Sequence, residues 1–244
     1  MKIGIATAAV LAVTAILVGS PSVFATSLVH QYLLTNGTYH DSFGGPDLVP
    51  DGGSLTPDGY TFGINQGLRL SSALVDPSTY SIEMFFKLDN VNGSYGNGFA
   101  KLIDTKNRTQ DIGWYSFHGH LYFYPEQQGP DVVFADGVYA DLLVTRDGTT
   151  KEVTGFVNGR PEVAVTDSPD VGVFSGPNNI ITFFEDDTAC CGGQEASPGT
   201  VQRIQIFDGP VNPVPEPSSF LLLGTGILPL IGRSWKRAHP TRPA

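Results

Sequence analysis

Short runs of alternating apolar and polar residues recur from residue 26 to residue 210, and each run stops at glycine, proline or aspartate. Side chains of a strand point alternately to its two faces, so such runs predict strands with one buried face. The longest run, residues 79–88, has four apolar side chains on one face: Tyr80, Ile82, Met84 and Phe86. We predict that this face is buried and that Glu83 and Lys87 are exposed, because burying an unpaired charge is costly.

About a dozen runs of this kind follow one another at roughly 10–15-residue intervals, and none of the segments between them shows helical periodicity. Three Gly-containing pairs, Asn36-Gly37, His118-Gly119 and Asn158-Gly159, predict β-hairpins. With 29 glycines and 18 prolines in the chain, turns are frequent. The pattern predicts an all-β fold, a two-sheet antiparallel β-sandwich or jelly roll, over residues 26–210.

Several segments occur in the order of the laminin-G-like, concanavalin-A-like jelly roll, which residues 27–210 resemble. The segments are 80–88, 101–104, 113–117, 142–148, 155–159 and 201–208. They mark turns and core positions rather than a reaction. The family includes sugar-binding, protein-binding and catalytic members, so the resemblance implies the fold and leaves the function open.

The N-terminus has the features of a secretory signal peptide. Lys2 precedes an apolar run over residues 3–18, and small residues occupy the −3 and −1 positions at Val23 and Ala25. This arrangement predicts a signal peptide over residues 1–25 and a folded domain over residues 26–210.

The other end of the chain, residues 211–237, combines three features in a fixed order. Pro215, Glu216 and Pro217 form an extended tripeptide, because proline fixes φ and biases the residue before it away from helix. An apolar helix is predicted over residues 220–231, within a run shorter than the ~20 residues that span a bilayer comfortably. A basic cluster of Arg233, Lys236 and Arg237 follows and holds this end on the cytoplasmic side.

These features together resemble the PEP-CTERM sorting tail of exported bacterial proteins. The resemblance implies an exosortase-type processing enzyme as a partner and the inner membrane as a transient anchor. It also implies a final location at the cell surface or in the secreted extracellular matrix. An ordinary C-terminal anchor, or an apolar tail packed on the domain, is the alternative. Residues 238–244 are predicted to be a disordered end.

The predicted domain is strongly acidic, with nine basic and 23 acidic residues between positions 26 and 210 and a net charge of about −14. Such a charge repels nucleic acid and anionic lipid and argues against either as a partner. The only two cysteines, Cys190 and Cys191, are adjacent. They form a vicinal disulfide, bridge to another molecule, or remain unpaired, and the sequence does not decide between these states.

Carboxylates in the Gly-rich loop over residues 185–199 are candidate calcium ligands, because Ca²⁺ prefers hard oxygen donors. The candidates are Asp186, Asp187 and Glu195, with Asp104 joining them if the sheets bring these strand ends together. Alternatively, the loop is solvated and its acids cap turns.

Four aromatic residues, Trp114, Tyr115, Tyr122 and Tyr124, are candidates for a sugar-stacking surface. Half of such alternating residues are core in a sandwich, so packing is the alternative for each of them. Glycoside hydrolases of this fold place two carboxylates on one strand in a Glu-x-Asp-x-x-Glu type of pattern. The sequence lacks this pattern, and we predict no catalytic residues.

These observations favour an exported, non-catalytic binding or structural protein, associated with extracellular polysaccharide and possessing no cofactor except calcium. The alternative is a polysaccharide-active hydrolase or lyase on the same fold.

Overall fold

The computed structural model describes residues 26–190 and 192–213. Several predicted features lie outside the described residues. They are the signal peptide over residues 1–25, Cys191, the motif Pro215-Glu216-Pro217, the apolar run 220–231, the basic cluster Arg233, Lys236 and Arg237, and the end 238–244. Among the residues that are described, no helix has the length and apolar character needed to cross a membrane.

The described residues form fifteen strands and one short 3-10 helix over Leu34–Asn36. In chain order the strands are β1 (Leu28–Leu33), β2 (Val49–Asp51), β3 (Ser54–Thr56), β4 (Gly59–Phe62), β5 (Gly67–Leu70), β6 (Tyr80–Leu88), β7 (Phe99–Asp104), β8 (Gly113–Phe117), β9 (His120–Tyr124), β10 (Gln127–Val132), β11 (Ala140–Arg146), β12 (Glu152–Val157), β13 (Arg160–Thr166), β14 (Ile181–Phe183) and β15 (Gly199–Phe207).

These strands build two antiparallel sheets. The eight-stranded sheet has the order β13-β12-β11-β6-β15-β4-β3, with β1 also paired to β15. The seven-stranded sheet has the order β10-β9-β8-β7-β14-β5-β2. The predicted all-β fold of two antiparallel sheets packed as a sandwich is confirmed.

The core lies between the two sheets and is rich in aromatic side chains. Phe86 of β6 meets Phe184, which follows β14 in the opposite sheet, with ring centroids 5.4 Å apart. Trp114 of β8 crosses the core towards Gly155 of β12. A Cβ at position 155 would lie 2.9 Å from the Trp114 ring and 2.7 Å from Leu121, so only glycine leaves room for this contact between the sheets.

For strand β6, the structure confirms the predicted buried face and corrects the predicted exposed face. Its apolar face, Tyr80, Ile82, Met84 and Phe86, is buried. The opposite face is not fully exposed, which corrects the prediction for Glu83 and Lys87, since both are half-buried. Glu83, with 23% of its side chain exposed, binds Arg203 of β15 at 2.6 Å. A strand in the middle of a sheet has neighbours on both sides, and their long side chains cover its polar face.

The hairpins at His118-Gly119 and Asn158-Gly159 are confirmed, because β8 pairs with β9 and β12 with β13. The hairpin predicted at Asn36-Gly37 is wrong. Gly37, with φ 72°, ends the 3-10 helix, and β1 pairs with the last strand. A left-handed glycine suits a hairpin turn and a helix end equally well, so the pair alone does not identify the partner strand.

Three strands were not predicted, namely β2, β3 and β10. All three lie at the outer ends of their sheets. Pro50 and Pro130 lie in two of them, and an edge strand tolerates proline because its outward N–H groups need no partner in the sheet. Edge position thus explains why these segments lack the β-branched and aromatic pattern of the central strands.

Candidate functional site

Aromatic side chains gather on the outer face of the seven-stranded sheet, where β7, β8 and β9 lie side by side. This aromatic cluster consists of Phe99, Tyr115, Phe117, Tyr122 and Tyr124, whose contacting rings have centroids 4.2–6.3 Å apart. All but Tyr115 are half-buried, so four rings border solvent. The alternation of β8 and β9 places their other aromatic residues in the core.

Two of the four predicted stacking residues belong to the interior. Trp114 is buried in the core against Phe123, with ring centroids 4.7 Å apart. Tyr115 belongs to the aromatic cluster but is fully buried by its neighbours. Neither presents a ring face to solvent, which corrects the prediction for these two residues. Tyr122 and Tyr124 remain at the surface.

Phe99 and Phe117 complete the surface part of the cluster, and sequence reasoning missed both. Phe117 is two residues from Tyr115 on the same strand, so alternation was a usable signal. Phe99 joins through the pairing of β7 with β8, which sets it opposite Phe117. The sequence carries no signal for that pairing.

Three carboxylates meet beside the aromatic cluster. One oxygen each from Asp111, Asp187 and Glu195 lies within 4.8 Å of the other two, and we call these residues the carboxylate triad. Asp111 precedes β8, whereas Asp187 and Glu195 belong to the loop between β14 and β15. The Tyr115 hydroxyl donates to Asp111 Oδ1 at 2.8 Å, which joins the triad to the aromatic cluster.

Two of the four predicted calcium ligands instead hold the loop backbone. Asp186 accepts backbone N–H groups from Asp187 and Glu195, each at 2.9 Å. Asp104 Oδ1 accepts those of Lys106 at 3.0 Å and Arg108 at 2.7 Å. These are the turn-capping roles that the alternative predicted. Asp187 and Glu195 do come together, with Asp111, which sequence reasoning missed because it is remote in the chain.

The carboxylates near the triad greatly outnumber the cations. The buried Lys101 ammonium lies 3.4 Å from oxygens of both Asp104 and Asp187. Arg108, close by, is engaged with Glu185 at 2.5 Å. This ammonium contacts only two of the five carboxylates that gather here, and the region keeps a net negative charge. Those five are Asp104, Asp111, Asp186, Asp187 and Glu195.

This crowding of carboxylates affects the pKa of Glu195. Burial raises the pKa of the Glu195 carboxyl to about 7, and the negative charges of Asp111 and Asp186 contribute to the increase. Burial also raises the pKa of Asp186 and of Asp104, although hydrogen bonds and Lys101 offset part of the effect. An ionised Glu195 is therefore disfavoured in the folded protein unless a cation approaches it.

We expect Glu195→Gln to stabilise the metal-free protein at alkaline pH. Between the ordinary pKa of 4.5 and the folded value of about 7, the native state retains a proton that the unfolded state releases. Stability therefore falls as pH rises through this window. Glutamine does not ionise, so in EDTA the variant should match wild type near pH 4 and melt a few degrees higher near pH 8.

Thermal denaturation of both proteins across this pH range measures the effect. All other titratable groups are the same in the two proteins, so their contributions cancel in the difference in Tm. A difference in Tm that is independent of pH would contradict the expectation.

A groove of about 540 Å³ lies on the outer face of the other sheet. Its two carboxylates, Glu83 and Asp141, share the Arg203 guanidinium at 2.6 and 3.1 Å. Residues 211–213, which lead into the C-terminal tail, form part of its wall. Both carboxylates of the groove thus have an ion-pair partner, whereas Asp187 alone has one among the triad members that the structure describes.

The loop that carries the triad also contains Cys190, which is disulfide-bonded. Its backbone N–H donates to Asp187 Oδ1 at 3.0 Å, so the cysteine segment helps to orient one triad member. Cys191, the only other cysteine of the chain, lies outside the described residues.

Comparison with known proteins finds one family match, at the C-terminus. Residues 213–238 match the PEP-CTERM protein-sorting motif, which confirms the predicted sorting tail. This motif implies export, a membrane-anchored C-terminal sorting signal and recognition by exosortase. No curated protein sequence matches the chain.

Solved structures with the same fold include several from carbohydrate-active proteins. Domain 4 of AbnA, a GH43 extracellular arabinanase from Geobacillus stearothermophilus, was solved with arabinotriose. It aligns with a TM-score of 0.55 and 18% identity over 77% of this chain and 95% of that domain. Trypanosoma rangeli sialidase aligns with a TM-score of 0.56 and 14% identity over 76% of this chain, and the match spans 31% of the sialidase.

The binding domain of botulinum neurotoxin serotype D aligns with a TM-score of 0.51 and 11% identity over 76% of this chain. The match covers 49% of that structure. Similarity at these identities establishes the fold alone. The chain therefore carries a PEP-CTERM sorting signal behind a β-sandwich domain whose fold is shared with glycosidase and binding domains.

Proposed function

We propose that this protein is an exported, exosortase-sorted protein whose laminin-G-like jelly-roll domain binds extracellular polysaccharide without cleaving it. The aromatic cluster on the seven-stranded sheet is the binding surface. The observation that carries the proposal is the set of four half-buried rings, Phe99, Phe117, Tyr122 and Tyr124, beside the carboxylate triad.

The chemistry of the surface suits a sugar. Aromatic faces carry negative charge density and attract the C–H groups that a sugar ring presents. Tyr122 and Tyr124 lie with ring centroids 5.4 Å apart and planes at 86°, so together they form a corner rather than a flat wall. Their hydroxyls, and the oxygens of Asp111, supply donors and acceptors for sugar hydroxyls.

Aromatic rings gathered at a surface need a reason, because contiguous exposed apolar patches commonly mark interaction sites. The arabinanase domain of the same fold was solved with arabinotriose, which supports a glycan as the ligand by analogy. The acidic charge of the domain supports a neutral or cation-bridged glycan over a polyanion.

The spacing of the carboxylates supports binding rather than hydrolysis. Retaining glycosidases separate their two carboxyl groups by about 5–5.5 Å and inverting enzymes by about 6.5–9.5 Å. Each triad member offers one oxygen within 4.8 Å of an oxygen of the other two, so the three carboxylates converge as the ligands of one cation do, instead of facing each other across a scissile bond. A hydrolase or lyase remains the second candidate, favoured by the glycosidases among the proteins of similar fold.

We expect Tyr122→Ala to weaken glycan binding by about five- to 150-fold, because the loss of one stacked ring costs about 1–3 kcal/mol. A glycan array that includes arabino-oligosaccharides identifies the ligand, and titration of that ligand gives Kd. Tyr139→Ala is the matched control, since this half-buried tyrosine stacks on Phe85 on the opposite sheet, with centroids 5.1 Å apart.

Equal affinity of wild type and Tyr122→Ala would contradict the proposed surface. The bound glycan should also stay intact after incubation with the protein. If the wild-type protein released reducing ends from the glycan and Asp111→Asn did not, the protein would be a hydrolase and not a non-cleaving binding protein.

A further inference from the structure

We propose that the carboxylate triad of Asp111, Asp187 and Glu195 is a calcium site. The inference does not depend on glycan binding, because it rests on the burial, partners and spacing of these three side chains. It differs from the calcium site predicted from sequence, since Asp111 replaces Asp104 and Asp186.

Glu195 is the main observation. The residue is only 7% exposed, yet its carboxylate accepts no hydrogen bond and forms no ion pair with any residue that the structure describes. Asp104 and Asp186, with 0% and 1% exposed, each accept two backbone N–H groups. Buried charges in proteins are normally paired or coordinate a metal. Glu195 points instead at two other carboxylates.

The other two members are held in place by hydrogen bonds that leave oxygens free for a cation. Asp111 Oδ1 accepts the Tyr115 hydroxyl at 2.8 Å. Asp187 Oδ1 accepts the N–H groups of Ala189 at 2.8 Å and Cys190 at 3.0 Å. Contacts of this kind orient metal-binding carboxylates in advance. Asp111 is half-exposed, which gives an ion and its remaining water ligands a path to the site.

Spacing and donor type favour Ca²⁺. All three donors are carboxylate oxygens, the ligands of hard cations. With metal–oxygen distances of 2.3–2.6 Å, two ligands of one Ca²⁺ lie up to about 5 Å apart, whereas the shorter distances of Mg²⁺ allow only about 4.2 Å. The triad oxygens, within 4.8 Å of one another, are spanned by Ca²⁺ with little adjustment. Lys101 supplies a single positive charge and does not neutralise the cluster.

Isothermal titration of the full chain with CaCl₂ tests the proposal. We expect one site, and a Tm that rises with calcium and returns to its starting value in EDTA. Glu195→Gln and Asp111→Asn should each weaken Ca²⁺ binding at least tenfold. Asp58→Asn is the matched control, since it removes the same charge at an exposed position and should leave the affinity unchanged.

Two results would overturn the proposal. One is the absence of binding heat and of any change in Tm with calcium up to 10 mM. The other is Glu195→Gln binding Ca²⁺ as tightly as wild type, with circular dichroism confirming that the variant is folded. Titration with MgCl₂ tests the selectivity, because equal affinities for the two ions would contradict the argument from spacing.

Discussion

Replacing Asp167 with alanine should lower the free energy of unfolding by about 3–5 kcal/mol, the largest effect that we expect from one polar substitution in the domain. Asp167 and Arg146 form an ion pair with Nε and Oδ2 2.8 Å apart, and 1% or less of either side chain is exposed. Removing the carboxylate leaves the buried guanidinium only the half-exposed Asp170, at 2.7 Å, and the Ser78 carbonyl, at 2.8 Å, as partners. The desolvation cost of that charge is then only partly compensated.

The carboxylate also holds the chain that follows β13. Asp167 accepts the backbone N–H of Val171 at 2.8 Å and that of Gly172 at 2.9 Å. The carbonyl of Gly172 in turn accepts the hydroxyl of the buried Tyr80 at 2.7 Å. Alanine at position 167 thus removes a salt bridge and leaves two buried donors without a partner.

Urea denaturation measures the difference in stability. Asp131→Ala is the control, because Asp131 binds Arg160 at 2.6 Å but the two side chains are 49% and 68% exposed. An exposed pair contributes about 0–1 kcal/mol. If the two variants lose the same small amount, the buried pair is not the stabilising element described here.

Sequence reasoning predicted the central strands well, because their apolar faces are set by a period of two. The predicted run over residues 79–88 corresponds to β6, and the segment 113–117 corresponds to β8. The same reasoning did not single out Arg146 and Asp167 as a pair, since charged residues are usually exposed. Only the packing of the loop after β13 shows that this pair is buried.

The candidate site was harder to predict than the fold, since it depends on contacts between distant segments. Asp111 meets Glu195 because β8 lies near the loop between β14 and β15, and no local pattern encodes that contact. Individual residue types were informative: two of the four aromatic candidates are surface rings of the aromatic cluster, and two of the four acidic candidates belong to the triad. The pleat of a strand decides which of its residues face outwards. A shift of one residue in the strand register exchanges the outward-facing and inward-facing residues.

The C-terminal tail leaves the domain on the side opposite the aromatic cluster. Val211 donates its N–H to Ser81 Oγ at 2.8 Å, and residues 211–213 border the groove on the outer face of the eight-stranded sheet. The aromatic cluster is on the outer face of the other sheet. While the tail anchors the protein, the proposed binding surface therefore lies on the far side of the sandwich from the attachment point.

In the producing bacterium, the exported protein should lack everything after roughly residue 217. The motif at residues 213–238 implies recognition by exosortase, and the sequence Pro215-Glu216-Pro217 predicts an extended segment, as a processing cleft requires. Intact-mass measurement of protein recovered from the extracellular matrix locates the end of the chain.

Replacing all three residues of the motif, Pro215, Glu216 and Pro217, with alanine should block processing almost completely. Alanine favours helix, so we expect the variant to lose both the recognised side chains and the predicted extended backbone, while it keeps the predicted membrane anchor of apolar run and basic cluster. The variant should then accumulate in the membrane fraction with Ala244 intact. Pro210→Ala, which alters a proline upstream of the matched residues, should be processed as wild type. Wild-type protein recovered from the matrix with Ala244 still present would show that the tail is an anchor or a packed segment instead of a cleaved signal.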